Sequence, residues 1–194
     1  MEEELSLHDA LYNSYANDPN GLQKTGFTYD NDLSNGDEQV YYNKNKKKLL
    51  FTVTGTHKPS DIGTDLLLGL GQLKSTQRYK NAEIKLQKAK FKYNNPENVT
   101  IAGSSLGGAI ASKLSGSRIL TYNKPSLINE KVIAAEKSYR KSGDVVSLLN
   151  PKSNTKTIHD PKGLYIPAFG FNSKISDALH KHQLSHLKNQ DIYI

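Results

Sequence analysis

The chain has 194 residues, a formal net charge of +7 and no cysteine. That length fits a single domain, 1–194, with a sizeable core. The absence of cysteine excludes a disulfide framework and any thiolate metal site. The acidic start, MEEELSLHDALYNSY, has no apolar signal region, and no run is long enough to span a bilayer, which is compatible with a cytoplasmic protein. The positive charge favours anionic surfaces such as lipid headgroups, but it is scattered lysine with no nucleic-acid motif beside it, so no nucleic-acid partner is expected.

In chain order, a helical region over Ser6–Asn17 leads into a polar loop rich in Asn, Asp and Gly. Two strand-like segments, Gln39–Tyr42 and Leu49–Val53, flank the lysine run Lys44–Lys48, which reads as a solvated hairpin turn in preference to an anion-binding patch. The loop Thr54–Ile62 follows, and then an apolar helix over Asp65–Leu73. Its segment LLLGLGQL reads as buried core in preference to a lid. The lysine-rich stretch Tyr79–Tyr93, with Ile84, Leu86 and aromatics among its charges, reads as an amphipathic surface helix.

Val99–Ala102 is a short apolar strand, and Gly103-x-Ser105-x-Gly107 follows it directly, opening a helical run over Leu106–Leu114. Strand, sharp turn and helix with a serine at the apex is the arrangement that a nucleophile elbow requires. The turn forces strained dihedrals on the serine, and small residues two positions either side let strand and helix approach. After the elbow come a strand Arg118–Tyr122, a loop Asn123–Asn129, strands near Lys137–Arg140, Val145–Leu148 and Thr155–His159, and a helix near Asp177–Asn189. Helices alternating with short strands predict an α/β fold with a mixed, mostly parallel sheet; the hairpin adds antiparallel strands at one side.

A serine nucleophile needs a base, and the base needs an orienting carboxylate; after an elbow these follow in the order Ser, Asp or Glu, His. Asp144, in SYRKSGDVVSLL, stands just past a predicted strand. The base is one of His180, His182 and His186 in HKHQLSH, which chain order alone does not separate; His159 reads as a turn residue, and His8 and His57 precede the serine. Leu106 offers one oxyanion N–H, and Thr56, at the end of the strand FTVTGT, offers a second. The i, i+4 pair His182/His186 also suits a metal, yet no Glu lies between them as in HExxH and no Asp completes an HxHxDH pattern, so no metal or cofactor is expected.

On these segments the chain resembles the class 3, fungal-type lipase family of the α/β-hydrolase superfamily. LLFTVTGTHKPSDIGTDL (Leu49–Leu66) resembles the family's oxyanion strand and loop, VTIAGSSLGGAIA its elbow, TYNKPSL the proline-containing loop after the next strand, SGDVVSLL its acid loop and HQLSHL its histidine segment. The resemblance implies an α/β-hydrolase-like sheet with helices on both faces, Ser105 as nucleophile, Asp144 as acid, His182 as base, and Thr56 and Leu106 as the oxyanion hole. It implies hydrolysis of a lipid or small carboxylic ester, including acylglycerols and phospholipids, without a cofactor; peripheral contact with anionic lipid is the expectation from the positive charge. The chain departs from the family in Ser104, where a His usually precedes the nucleophile, in Thr54, where an Arg is typical, and in having no Trp. The alternative is a catalytically inactive lipase-like fold acting as a binding or structural module.

Overall fold

The computed structural model describes residues 2–55, 71–126, 130–142, 154–159, 184 and 187–194. Helix α1 (Leu7–Ala16) starts where Ser6 accepts a hydrogen bond from the Asp9 N–H at 3.0 Å and ends at Asn17 in the left-handed region. The short strand β1 (Thr28–Tyr29) precedes the hairpin β2 (Glu38–Asn43) and β3 (Lys48–Val53). Residues 44–47 of its lysine-rich turn are exposed, as expected. Helix α2 (Gln77–Lys92) is capped by Thr76. Strand β4 (Asn98–Ser104), helix α3 (Leu106–Ala111), and strands β5 (Arg118–Tyr122), β6 (Glu136–Lys141) and β7 (Thr155–Ile158) complete the order.

Among the described residues seven strands form one sheet in the order β1 to β7. β1, β2 and β3 are antiparallel and β3 through β7 are parallel. The predicted mixed, mostly parallel sheet is therefore present. The β3–β4 and β4–β5 crossovers follow the usual right-handed rule, which puts their two helices on the same face. α2 and α3 lie there: Tyr79, Ala82, Leu86 and Ala89, one helical stripe, join Ala109, Ile110, Leu49, Phe51, Val53 and Ile101 in one core. The opposite face needs a cover from elsewhere. α1 supplies it, with Leu7, Ala10 and Leu11 clustered with Leu50, Leu120, Tyr122, Leu184 and Leu187. Polar ties fix α1 as well, because Asn13 Nδ2 donates to Tyr41 Oη at 2.9 Å and Gln39 Nε2 to the Ser14 carbonyl at 3.1 Å. The C-terminus closes over the start of α1 through the Leu7 N–H to Ile192 C=O (2.8 Å) and Ile194 N–H to Leu5 C=O (2.8 Å) bonds.

Several expectations meet detail here. The helix after the elbow ends at Ala111, not Leu114, because Lys113 and Leu114 donate to carbonyls three residues back and the last turn tightens. On α2, Leu86 is buried whereas Ile84 is 54 % exposed, since only the 79/82/86/89 stripe faces the sheet. Leu73, placed in the apolar helix, belongs to a 3-10 turn, Leu73–Ser75. Gly71 and Gln72 before it form an exposed turn, whereas residues 65–70 of that helix, the strand predicted at 145–148 and most of the predicted C-terminal helix lie outside the described residues, although Leu184 is helical and 187–189 form a turn. No helix among the described residues is long and apolar enough to cross a membrane.

Asp30 anchors the loop before β2 to the end of α2. Its buried carboxylate accepts from Lys92 Nζ (2.9 Å), Tyr93 Oη (2.7 Å) and the Leu33 N–H (3.2 Å). Burial works to raise its pKa, but Lys92 and Tyr93 outweigh it and hold the carboxyl below the ordinary range. A depressed folded pKa contributes stability above the unfolded value and loses it as pH falls through the folded value. Asp30→Asn is expected to cost about 1–3 kcal/mol in urea unfolding at neutral pH. The gap to the parent protein should narrow as pH drops below about 4, where the unfolded carboxyl protonates.

Candidate active site

Ser105 sits between the last residue of β4 and the first of α3 with φ 51° and ψ −128°. A non-glycine residue held at such dihedrals costs about 1–3 kcal/mol and persists only where its surroundings over-determine it. Here they do. The Ser105 N–H donates to the Tyr122 carbonyl of β5 at 2.9 Å, and its carbonyl accepts from Ala109 of α3 at 3.1 Å. Its side chain makes no capping bond to the helix, although serine is a preferred N-cap.

The two motif glycines act sterically, through close approach. A Cβ on Gly103 would stand 2.4 Å from the Gly107 carbonyl oxygen. A Cβ on Gly107 would stand 2.2 Å and 2.3 Å from the carbonyl oxygens of Val53 and Thr54. The first contact closes β4 onto its own helix, as the motif predicts. The second presses that helix against the end of the neighbouring strand β3, which the spacing alone does not reveal.

The chain beyond β3 thereby passes beside the serine: a Cβ on Gly55 would lie 3.1 Å from Ser105 Cβ and 2.4 Å from Tyr15 Oη. Tyr15, on the buried side of α1, links both strands. Its hydroxyl accepts from the Gly55 N–H at 2.7 Å and shares a 2.6 Å hydrogen bond with Ser104 Oγ. Burial raises its pKa above the ordinary phenol value, against the lowering effects of Ser104, Gly55 and the Arg78 charge, so it stays a neutral hydroxyl at physiological pH. The small Ser104 side chain is what engages this hydroxyl. From α2, Arg78 Nη2 donates to the Thr54 carbonyl at 2.6 Å and the Gly55 carbonyl at 3.3 Å.

The chain leaving β5 is held as firmly. Lys124 is 2 % exposed, and its ammonium pairs with Glu136 at 2.9 Å and lies 3.7 Å from Glu130. Thr121 Oγ1 donates to the same Glu136 oxygen at 3.0 Å. Glu130 also pairs with Lys113. Burial alone would raise its pKa, but Lys113, Lys124 and Ser126 together hold it low. A buried ion pair of this kind is a poor source of net stability but fixes geometry when every member is satisfied.

Of the residues singled out in the sequence, Ser105 and Leu106 stand at the elbow, whereas Thr56, Asp144 and His182 lie outside the described residues, as do His180 and His186. Tyr15 and Arg78 were not anticipated. The Leu7, Leu11, Tyr15 spacing marks Tyr15 as inward-facing, but nothing local names its partners, which are 40 and 89 residues away in the chain. Among the described residues no cluster of His, Asp or Glu could hold a metal ion.

No protein-family model and no curated protein matches the sequence. Solved structures do. The native Rhizomucor miehei lipase propeptide complex is 14 % identical with a TM-score of 0.55, covering 81 % of this chain and 68 % of that one. A deletion mutant of the same complex gives 14 % and 0.55, covering 80 % and 66 %. Lip2 lipase from Yarrowia lipolytica is 16 % identical with a TM-score of 0.47, covering 79 % and 80 %. The chain therefore spans about two thirds of the Rhizomucor structure's length. Together with the seven-stranded mixed sheet, the likeness defines the class: a protein with a lipase-related α/β fold.

Gly107→Ala tests the contact that shapes the elbow. Its methyl would meet two backbone carbonyls that only strand movement can relieve. The expected cost is about 1–3 kcal/mol in denaturant unfolding; an unchanged midpoint would show that β3 and α3 are not in that contact.

Proposed function

We propose that the protein is a serine carboxylic ester hydrolase of α/β-hydrolase type acting on a lipid or small ester. The observation that carries this reading is the strained Ser105 at the apex between β4 and α3, on the C-terminal edge of a parallel sheet. Strain kept at one half-buried serine, with its hydroxyl not spent on capping, supports a site in preference to packing. The lipase-related fold supports the same class.

In this reading Ser105 Oγ attacks the ester carbonyl while His182 takes its proton and Asp144 orients the imidazole. The tetrahedral oxyanion is held by the N–H groups of Leu106 and Thr56. Collapse expels the alcohol, protonated by His182, and leaves an acyl-serine that water hydrolyses by the same steps. Two features of the fold support these assignments. β6 runs in the same direction as β4 and delivers the chain at Ser142 to the edge that carries Ser105, and Asp144 is two residues further on. The Gly55 N–H is already donated to Tyr15 at 2.7 Å, which supports assigning the second oxyanion donor to a residue other than Gly55. The exposed lysines of α2, beside Ile84 and an 81 % exposed Phe91, support peripheral contact with anionic lipid.

A fluorophosphonate probe followed by peptide mapping should give one adduct, on Ser105 and not Ser104. An unlabelled folded protein would favour the inactive, binding-module alternative. On a nitrophenyl butyrate, Ser105→Ala should be inactive with stability retained. His182→Ala should lose at least about a thousandfold while His180→Ala and His186→Ala lose little. Dialysis against a strong chelator should leave turnover intact; loss of activity restored by zinc would point to the late histidines as metal ligands.

A further inference from the structure

Side chains alternate along β4. Ile101 lies in the core under α2 and α3, Ala102 in the core under α1, and Ser104 returns to the α1 face. Ser104 is buried and is the last residue before the strained Ser105. Its Oγ shares a 2.6 Å hydrogen bond with Tyr15 Oη. The same tyrosine oxygen accepts the Gly55 N–H at 2.7 Å. One hydroxyl from α1 thus bridges the end of β4 and the chain just past β3.

Both partners of that hydroxyl border Ser105. Ser104 precedes it in the chain, and a Cβ on Gly55 would lie 3.1 Å from Ser105 Cβ. The missing side chain at Gly55 is also what admits the hydroxyl, since that Cβ would stand 2.4 Å from Tyr15 Oη. The bridge therefore needs a tyrosine, a glycine and a serine from three separate segments. The tyrosine ring packs against the α1-side core, which a phenylalanine would do equally well. Only the hydroxyl ties the two segments to each other. Burial keeps it neutral, so it retains both acceptor and donor capacity.

We infer that Tyr15 is a positioning residue for the reaction at Ser105: its hydroxyl fixes the separation of Gly55 and Ser104 and thereby holds the turn that carries the nucleophile. The inference rests on the ester-hydrolase reading and adds α1 to a site otherwise built on the edge of the sheet. A misplacement of about 1 Å at a reacting centre costs on the order of a hundredfold in rate. Ground-state binding of an ester depends far less on that alignment, so the effect falls on kcat and not on KM.

The test uses Tyr15→Phe, Ser104→Ala and their combination in the full chain. Tyr41→Phe is the control, because the Tyr41 hydroxyl also ties α1 to the sheet, through Asn13 at 2.9 Å, but through a different residue of the helix. The readouts are kcat and KM on nitrophenyl butyrate and the melting temperature. Tyr15→Phe should lower kcat about 10- to 100-fold with KM within about threefold. Ser104→Ala should lose about 3- to 10-fold, because Gly55 stays bonded to Tyr15. The double variant should lose no more than about twofold beyond Tyr15→Phe, since both changes break one bond. Tyr41→Phe should melt earlier than the parent and keep its kcat within about twofold. Should Tyr15→Phe fail to fold, Ser104→Ala alone decides the matter. Parent-like kcat in folded Tyr15→Phe or Ser104→Ala would overturn the inference, as would losses that multiply in the double variant. A Tyr41→Phe loss equal to that of Tyr15→Phe would overturn it too, by assigning the effect to general loosening of α1. A folded parent protein that neither turns over the ester nor takes the fluorophosphonate would overturn the ester-hydrolase reading itself, and this inference with it.

Discussion

The contact between Gly107 and the carbonyls of Val53 and Thr54 is the constraint on which the candidate site depends. Main chain meets main chain there with no side chain between. It sets the angle at which α3 leaves β4, and so the dihedrals forced on Ser105. It also sets the distance between Ser105 and the chain beyond β3. A side chain at position 107 would separate the turn that carries Ser105 from the end of β3, and both would lose their alignment at once.

Around that contact the fold spends polar groups to hold backbone in place. Tyr15 and Arg78 reach the same stretch, Thr54–Gly55, from opposite faces of the sheet, one from α1 and the other from α2. Lys124 and Glu136 do the same for the chain leaving β5. Buried hydrogen bonds of this kind contribute modestly to net stability, but breaking one leaves a costly unsatisfied partner, so they act mainly to exclude other conformations. Other groups pin β1 and β2 to α2: Asp30 with Lys92 and Tyr93, and Glu38, opposite Val53 in the register, with Lys85.

α1 shows how topology creates a requirement that no local segment expresses. Strands β3 to β7 follow one another in space as in sequence, so their right-handed crossovers send α2 and α3 to one face. Leu50, Leu120 and Tyr122 on the other face would meet water without a cover from the chain ends. The N-terminal helix and the tail through Ile192 supply it, and in doing so bring Tyr15 to Ser104 and Gly55.

The amino-acid sequence by itself determined the N-terminal helix, the hairpin with its solvated lysine turn, the mostly parallel run of strands and the elbow, but not the short β1, which lies in a stretch that reads as a polar loop. Each rests on a local signal: apolar spacing, a lysine run between two strand-like segments, glycines two positions either side of a serine. The end of α3 at Ala111 and the outward Ile84 were not legible, because helix length and facing are settled by packing against the sheet and not by propensity. The pairing of Gly107 with β3, the engagement of Ser104 by Tyr15 and the grip of Arg78 on Thr54 and Gly55 were decided by tertiary structure alone. Those partners are far apart in the chain, and only the strand order and the choice of face for each helix bring them within hydrogen-bonding distance.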